Sequence, residues 1–170
     1  MKKLIVKIIL ATVALAAAMP VDASARREAT FGVETGYASK NESAIAGLFF
    51  QYDLTGSIRI APDAGFVFRH KDLDAFTANV NLHFPFTFPG RVVGLYPLAG
   101  VNYSSWNRHD LDFDTETDDV STRVSRFGVN FGAGVELRPT STLKIKAELK
   151  YNLIKSYSGY YVSVGIGYIF

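Results

Sequence analysis

The fold is decided by the stretch Ser163-Val164-Gly165-Ile166-Gly167-Tyr168-Ile169-Phe170, in which two kinds of side chain alternate. Because successive side chains of a strand point to opposite faces, one face of this stretch would be apolar and aromatic. Three of the four residues on the other face are small or polar, namely Ser163, Gly165 and Gly167. A strand with a broad apolar face and a face of small residues suits a wall between lipid and a crowded interior.

A period of two also marks seven segments upstream of this stretch. It is clearest in residues 143–153, where every odd-numbered residue is apolar and every even-numbered one is a lysine, a glutamate or an asparagine. A helix would not separate such a series into two faces, so the segment predicts a strand with an apolar exterior. Together with the terminal stretch, the segments predict eight strands near the ~9–11 residues that a tilted strand needs to cross a membrane. The other six are residues 31–39, 44–54, 58–68, 76–86, 91–106 and 127–138.

In two of these segments the alternation only weakly indicates which residues face the lipid and which face the lumen. Residues 44–54 are apolar on both faces around Leu48, Phe49 and Phe50, so the sequence leaves their register open. In residues 91–106 we favour Tyr96 and Asn102 as inward-facing residues. The outward-facing set would then be Val93, Leu95, Ala99, Val101 and Tyr103.

The connections between the segments alternate in length, as an up-and-down barrel requires. Three are tight turns rich in Pro, Gly or Ser, near residues 55–57, 85–90 and 139–141. The connections on the other side include the longest one, residues 107–122. In outer-membrane barrels the short turns face the periplasm, so we expect the longest loop to be extracellular.

The first 25 residues predict a secretory signal peptide. A basic pair, Lys2 and Lys3, precedes an almost wholly apolar stretch, and Ala23-Ser24-Ala25 provides the small residues of a cleavage site. We therefore expect cleavage between Ala25 and Arg26, which leaves residues 26–170 as one barrel domain. A transmembrane helix is the weaker alternative, because the apolar stretch is short and rich in alanine.

The composition excludes several classes of function. The chain holds 18 basic and 16 acidic residues, but three of the former and one of the latter belong to the predicted signal peptide, so the remainder is formally neutral. A neutral balance gives no support for nucleic-acid binding. The chain has no cysteine, which excludes a disulfide scaffold, thiol catalysis and a cysteine metal site.

These patterns predict an all-β fold, an eight-stranded antiparallel up-and-down transmembrane β-barrel preceded by a cleaved signal peptide. A soluble β-sandwich also alternates and is the weaker alternative. The pattern of Ser163, Gly165, Tyr168 and Phe170 resembles the C-terminal signal by which the assembly machinery recognises Gram-negative outer-membrane barrels. The whole pattern resembles the small outer-membrane barrel family of the OmpX type and the OmpA membrane domain. The resemblance implies an integral protein of the cell outer membrane, exported through the periplasm.

Aromatic residues would form a girdle at each membrane interface, because amphipathic rings favour the headgroup level. On the side of the short turns the girdle would contain Tyr52, Phe84, Phe86, Phe88, Tyr168 and Phe170. On the opposite side it would contain Tyr37, Phe68, Phe76, Tyr103, Trp106, Tyr151 and Tyr160.

The inward faces predict a network of long charged side chains inside the barrel. Eight strands enclose a lumen that side chains just fill, and a buried charge must be paired. We therefore favour a plug of bridging ion pairs, with a narrow porin-like channel for small solutes as the alternative. The predicted network comprises Glu34, Arg59, Asp63, Arg69, Glu136, Arg138, Lys144, Lys146, Glu148 and Lys150.

The longest loop carries a run of carboxylates. Such a run offers the oxygen ligands that calcium and magnesium prefer, and these ions could bridge the loop to lipopolysaccharide phosphates. It lacks the central glycine and the downstream glutamate of an EF-hand loop, so a solvated acidic loop is the favoured interpretation. The weak metal candidates are Asp110, Asp112, Asp114, Glu116 and Asp118, and we expect no cofactor.

No catalytic set of residues emerges, so we expect no enzyme activity. Lipid A deacylases carry a His-x-Ser pair near the end of the chain, whereas the last histidine here is His109. A lipid A-modifying enzyme is therefore the least favoured function. We expect a monomer with a structural or surface-interaction role, whose extracellular loops bind a host or envelope ligand. The other expected partners are outer-membrane lipid, lipopolysaccharide and, during biogenesis, the barrel-assembly machinery, with no nucleic acid.

Overall fold

The computed structural model describes residues 28–70, 73–88, 92–109, 121–155 and 158–170. The predicted cleavage site, Ala25 and Arg26, lies outside these ranges and stays a prediction. No helix within these ranges is long and apolar enough to cross a membrane. The described chain forms the strands β1 (Ala29–Ala38), β2 (Ser43–Asp53), β3 (Arg59–His70), β4 (Leu73–His83), β5 (Phe86–Thr87), β6 (Val93–His109), β7 (Ser121–Leu137), β8 (Leu143–Ile154) and β9 (Gly159–Ile169).

Eight of these strands close into an antiparallel barrel. Each long strand pairs with the next along the chain, β4 pairs directly with β6, and β1 pairs with β9 to complete the ring. The two-residue β5 adds only a short pairing along β6. The predicted eight-stranded up-and-down barrel is confirmed. Closure leaves no free edge around the ring, so the backbone groups of the wall are paired with one another.

Side chains alternate across the wall. On β8, Leu149 is 52% exposed, whereas its neighbour Glu148 is 3% exposed. The outer face is a belt of exposed apolar residues to which every long strand contributes, as lipid contact requires. Its members include Phe31, Leu48, Phe66, Val80, Val101, Val129, Leu149 and Val164.

The described turns on the side where residues 28 and 170 lie are short, and threonine hydroxyls stabilise two of them. We call this side of the barrel the turn end. Thr55 Oγ1 accepts hydrogen bonds from the amides of Ser57 and Ile58 between β2 and β3. Thr140 Oγ1 accepts one from the amide of Leu143 between β7 and β8, at 3.1 Å. A hydroxyl that binds backbone amides in this way replaces a ladder bond where the chain reverses.

The opposite side, which we call the loop end, is dominated by the β6–β7 hairpin. Both strands have 17 residues, and they pair up to His109 opposite Ser121. The neighbouring β8 pairs with β7 only as far as Gly128, opposite Ile154. The hairpin therefore extends past β8. The prediction of a loop over residues 107–122 was wrong at both ends, because polar residues also continue a strand that rises above the apolar belt.

The seam between the first and last strands is covered from inside by Phe49. Gly32 of β1 lies opposite both Phe49 of β2 and Gly167 of β9. A Cβ on Gly165 or Gly167 would lie 2.9 Å from the Phe49 ring, so the glycines leave room for it. This arrangement fixes the register that the sequence left open, because Phe49 is 2% exposed and faces inward while Leu48 faces out.

Candidate functional site

At the turn end the lumen centres on the ion pair between Arg59 of β3 and Glu136 of β7. Arg59 Nη1 lies 2.6 Å from Glu136 Oε2, and both side chains are 1% exposed. Glu136 also pairs with Arg138 Nη2 at 3.0 Å and lies 3.8 Å from Lys144 Nζ. Arg59 Nε donates to Asp53. Because β3 and β7 are three strands apart around the ring, the central pair joins two distant walls.

The middle of the lumen holds a second set of charges that face one another across it. Lys150 Nζ of β8 lies 2.9 Å from Asp63 Oδ2 of β3, on the opposite side of the ring. Glu148 accepts a hydrogen bond from the Tyr96 hydroxyl at 2.8 Å and pairs with Lys146 at 3.0 Å. The charges held in this way are each paired, which is the condition for burying them.

Lys146 connects this set to the barrel seam. Its Nζ lies 2.9 Å from Glu34 Oε2 on β1 and 4.1 Å from the centre of the Phe49 ring. The Ser163 hydroxyl donates to the same Glu34 oxygen at 3.3 Å. The ammonium group over the ring adds a cation–π contact to the ion pair. Lys146 of β8 thus contacts β1 through Glu34 and β2 through Phe49, and Glu34 in turn binds Ser163 of β9.

Next to these charges lies a layer of asparagines on β4, β6 and β7. Asn102 Nδ2 donates to Asn79 Oδ1 at 2.6 Å. Asn130 Nδ2 lies 2.9 Å from Asn79 Oδ1 and 3.0 Å from Asn81 Oδ1. Asn79 and Asn81 in turn donate to the carboxylate of Asp63. The amides therefore extend the polar network from the carboxylate of β3 across three further strands.

Near the loop end, the lumen contains an apolar cluster, which we call the lid. It consists of Ala38, Ile45, Val67, Ala75, Trp106 and Tyr161. Four members follow one another in register, since Ile45 pairs with Val67, Val67 with Ala75 and Ala75 with Trp106. Trp106 is 1% exposed, and its Nε1 donates to Ser104 Oγ at 3.0 Å. The prediction that Trp106 belongs to an outer aromatic girdle is wrong, because even-numbered residues of β6 face inward.

The structure brings most of the predicted lumen residues together. Arg69 is an exception, because it is exposed where the β3–β4 register shifts between Val67 and His70. The residues in mutual contact are Glu34, Arg59, Asp63, Glu136, Arg138, Lys144, Lys146, Glu148 and Lys150.

The metal candidates of the acidic loop, by contrast, cannot be placed in this arrangement. Residues 110–120 lie outside the described ranges. Within the described ranges, no group of three or more His, Asp or Glu residues could hold a metal ion. The acidic candidates therefore remain predictions: Asp110, Asp112, Asp114, Glu116 and Asp118.

The structure describes two histidine side chains, one buried in the lumen and one at the loop end. His83 is 1% exposed and stacks on Tyr96, with ring centres 4.5 Å apart. His70 Nδ1 lies 2.7 Å from the backbone oxygen of Asn41 at the loop end. Neither imidazole forms a hydrogen bond with a serine hydroxyl of the described chain. A nucleophile is activated by a base within hydrogen-bond reach, and neither of these imidazoles has a described serine hydroxyl as such a partner.

The outer part of the β6–β7 hairpin carries exposed cations. Residues 121–127 of β7 pair with β6 alone among the described strands. Arg123 and Arg126 are exposed on this segment. Arg123 Nε donates to Asn107 Oδ1 at 3.0 Å, and Asn107 donates to Asp74 at 3.0 Å. One arginine is thus positioned by a row of three strands.

Two parts of this interior were not singled out from the sequence. The asparagine layer uses Asn79, Asn81 and Asn130, which look like ordinary polar positions of alternating strands. The sequence did indicate that they face inward, because they occur at alternate positions in phase with the inward-facing residues of the same strands. The lid could not be recognised from the sequence, because small residues such as Ala38 and Ala75 form an apolar cluster only when the fold places them beside Val67 and Trp106.

The sequence matches the family described as "Outer membrane protein beta-barrel domain" over residues 8–170. No curated protein sequence gives a significant match. Among solved structures, the N-terminal β-barrel domain of Pseudomonas aeruginosa OprF is 19% identical with a TM-score of 0.64, covering 85% of this chain and 98% of that chain.

Ail, the attachment invasion locus protein of Yersinia pestis, is 17% identical with a TM-score of 0.62, covering 86% of this chain and 100% of its own. The structure of Ail in complex with the heparin analogue sucrose octasulfate has the same identity and coverage, with a TM-score of 0.60. At these identities the similarity concerns the fold.

Proposed function

The chain belongs to the family of outer membrane protein β-barrel domains, and from this premise we propose that it is a surface-interaction protein whose lumen is plugged. The resemblance to small outer-membrane barrels and the outer-membrane location are confirmed by the family match and by the OprF and Ail structures. The proposal rests on one observation: the interior of the barrel is filled with paired charges, while a hairpin at the loop end is exposed.

The plug is supported by the ion pairs that cross the lumen. Arg59 with Glu136 and Lys150 with Asp63 each join walls that lie far apart around the ring. A solute that passed through would have to separate these pairs, and a separated buried charge is costly. The lid around Trp106 adds an apolar barrier at the loop end. A porin-like channel is therefore the weaker alternative.

We expect the refolded wild-type protein to give no steady conductance levels in a planar lipid bilayer. The physical reason is that no ion can enter without breaking the Arg59–Glu136 pair. A general porin inserted into the same bilayer serves as the positive control. Steady open levels that increase with the amount of protein would contradict the plug and favour the channel.

The binding surface that we propose is the outer part of the β6–β7 hairpin. Its edge over residues 121–127 pairs with β6 alone within the described chain, so one row of backbone groups faces outward. Such an edge offers hydrogen bonds to a ligand, and charged side chains on it prevent unspecific pairing. The exposed Arg123 and Arg126 meet that description.

Arginines favour anionic ligands, because a guanidinium binds carboxylate, sulfate or phosphate groups through paired hydrogen bonds. The barrel of Ail, which has a similar fold, was crystallised with a sulfated heparin analogue. We therefore propose an anionic host or envelope glycan as the ligand class. Outer-membrane lipid and lipopolysaccharide phosphates are proposed partners of the same chemistry.

Replacing both Arg123 and Arg126 with Ala should weaken the binding of heparin to the protein in nanodiscs by about tenfold or more, the equivalent of ~1.4 kcal/mol. The loss follows from removing two charge-assisted contacts. Isothermal titration measures it, with magnesium present to screen the carboxylates of the acidic loop.

The matched control replaces the same two residues with Lys, which keeps the charge and removes the planar fork. We expect this variant to bind more tightly than the Ala variant and less tightly than the wild type. Equal heparin affinity in wild type and Ala variant would place the ligand elsewhere and refute the proposed surface.

We infer no enzymatic role. The relatives found by structure are outer-membrane barrels, and the described histidines lack a serine partner. A lipid A-modifying enzyme would need a nucleophile and a base at the outer rim. We also propose that the protein is a monomer. We propose that the barrel-assembly machinery recognises its C-terminal strand through Ser163, Gly165, Tyr168 and Phe170.

A further inference from the structure

Six buried side chains along the lumen each keep a polar atom that has no hydrogen-bond partner within the described chain. They differ in chemistry, since one is an imidazole, one a phenol and four are amides. All are at most 4% exposed. They are Gln51, His83, Asn102, Asn130, Asn152 and Tyr161, and a seventh such side chain, Asn41, lies in the β1–β2 turn at the loop end.

These atoms are distributed along the barrel axis rather than gathered at one point. Gln51 and His83 lie beside Arg59 near the turn end, since Gln51 Oε1 is 3.5 Å from Arg59 Nη1 and His83 is the cross-strand partner of Arg59. Asn102 and Asn130 lie near the middle of β6 and β7, whereas Asn152 lies near the loop end of β8. Tyr161 belongs to the lid.

Both kinds of hydrogen-bonding group are represented in this series. The free atoms of the asparagines are the Oδ1 acceptors, and that of Gln51 is the Nε2 donor. A neutral imidazole offers one donor and one acceptor, and a phenol offers both. A water molecule can donate two hydrogen bonds and accept two, and buried polar atoms in proteins are regularly satisfied by ordered water.

We propose that the lumen binds a file of water molecules that extends from His83 to Tyr161, and that the lid is the barrier that ends it. At the turn end, Arg138 and Glu28 are 20% and 30% exposed, so water has access there. At the loop end, Trp106 donates its Nε1 hydrogen to Ser104, and its ring belongs to the apolar lid. An apolar constriction of this kind stops water by dewetting.

The inference goes beyond the proposed function, because it assigns a ligand to the interior and a role to Trp106. It also explains how a plugged lumen keeps its amide atoms satisfied. The ion pairs still exclude ions, whereas single water molecules pass beside paired charges.

The first test is a crystal structure of the wild-type protein at a resolution that shows solvent. We expect ordered water within about 3.2 Å of the Oδ1 atoms of Asn102, Asn130 and Asn152. Amides that bond to one another in a dry lumen would overturn the proposal.

The second test is osmotic shrinkage of proteoliposomes, followed by stopped-flow light scattering. Trp106→Ala should shrink the vesicles faster than wild type, because the file then reaches the loop end. Trp106→Phe keeps an apolar ring in the lid, and Phe127→Ala removes an aromatic ring that is 80% exposed on the outside. Both controls should match wild type.

Because Trp106→Ala removes a large side chain and could prevent folding, a second variant tests the lid without changing its volume. Val67→Thr places a hydroxyl in the lid and should also increase water flux. Heat-modifiable gel mobility checks that each variant is folded. If both variants fold and shrink vesicles at the wild-type rate, the lid is not the barrier and the proposal is overturned. Heparin binding is expected to be unchanged in both, so this result is independent of the proposed function.

Discussion

Replacing Glu136 with Ala should lower the free energy of unfolding by about 3–5 kcal/mol, the range for removing one partner of a buried ion pair. The carboxylate lies within 4 Å of three cations, Arg59, Arg138 and Lys144. Its removal leaves Arg59 with Asp53 and deprives Lys144 of its nearest carboxylate. Urea unfolding in lipid vesicles measures the loss, with the fluorescence of Trp106, the single tryptophan, as the probe.

Glu28→Ala is the matched control for this experiment. Glu28 makes an ion pair with Arg138 at 2.7 Å, but both side chains are partly exposed at the turn end. Exposed pairs contribute ~0–1 kcal/mol, so the control should lose little stability. A loss as small for Glu136→Ala as for Glu28→Ala would mean that the lumen solvates an unpaired charge.

Replacing Leu149 with Arg should lower the free energy of unfolding by ~2–4 kcal/mol, because the new charge would face lipid near the middle of the membrane. Leu149 lies at the middle of β8 and is 52% exposed on the outer face. The same urea titration in vesicles measures this loss.

The control for depth is Leu137→Arg, on the same outer face but at the last residue of β7. Near the interface an arginine costs only ~0–1 kcal/mol, since its guanidinium reaches the headgroups. Equal losses for the two variants would show that Leu149 does not lie at mid-membrane depth. Lys146→Gln is not a neutral control, because Lys146 contacts Glu34, Glu148 and the Phe49 ring.

The barrel itself could be predicted because its wall separates two solvents. Lipid outside and paired charges inside require that apolar and polar residues alternate along each strand. On β8, Lys144 can face only the lumen and Leu149 only the lipid, so the orientation of the strand is fixed. The same reasoning applies to β9. Its large apolar residues must face lipid, so the alternating Gly165 and Gly167 must face the lumen. Period, strand number and topology were therefore predictable from single residues.

One register was left open and one assignment was wrong, both at positions where side-chain type alone does not decide between two faces. Phe49 and Leu48 are both apolar, and only the space above Gly32, Gly165 and Gly167 selects which one turns inward. Trp106 was assigned to the girdle by residue type, although its parity on β6 places it in the lid.

The extent of the candidate site depended on pairing between distant strands, which a linear sequence does not display. Arg59 and Glu136 are 77 residues apart, and their contact depends on how far each strand is shifted around the ring. Arg69 has the right parity for the lumen, but the bulge between Val67 and His70 takes it out of the wall. The exposed edge of the hairpin follows from β8 ending at Ile154, opposite Gly128.

The position of Phe49 has a consequence for the order in which the barrel assembles. Its ring lies beneath the pairing of Gly32 with Gly167, two residues at opposite ends of the folded chain. A closed eight-stranded wall has no opening through which a phenyl ring could turn from lipid to lumen. We therefore expect Phe49 to be placed on the inner face of β2 before β9 joins β1 and closes the barrel.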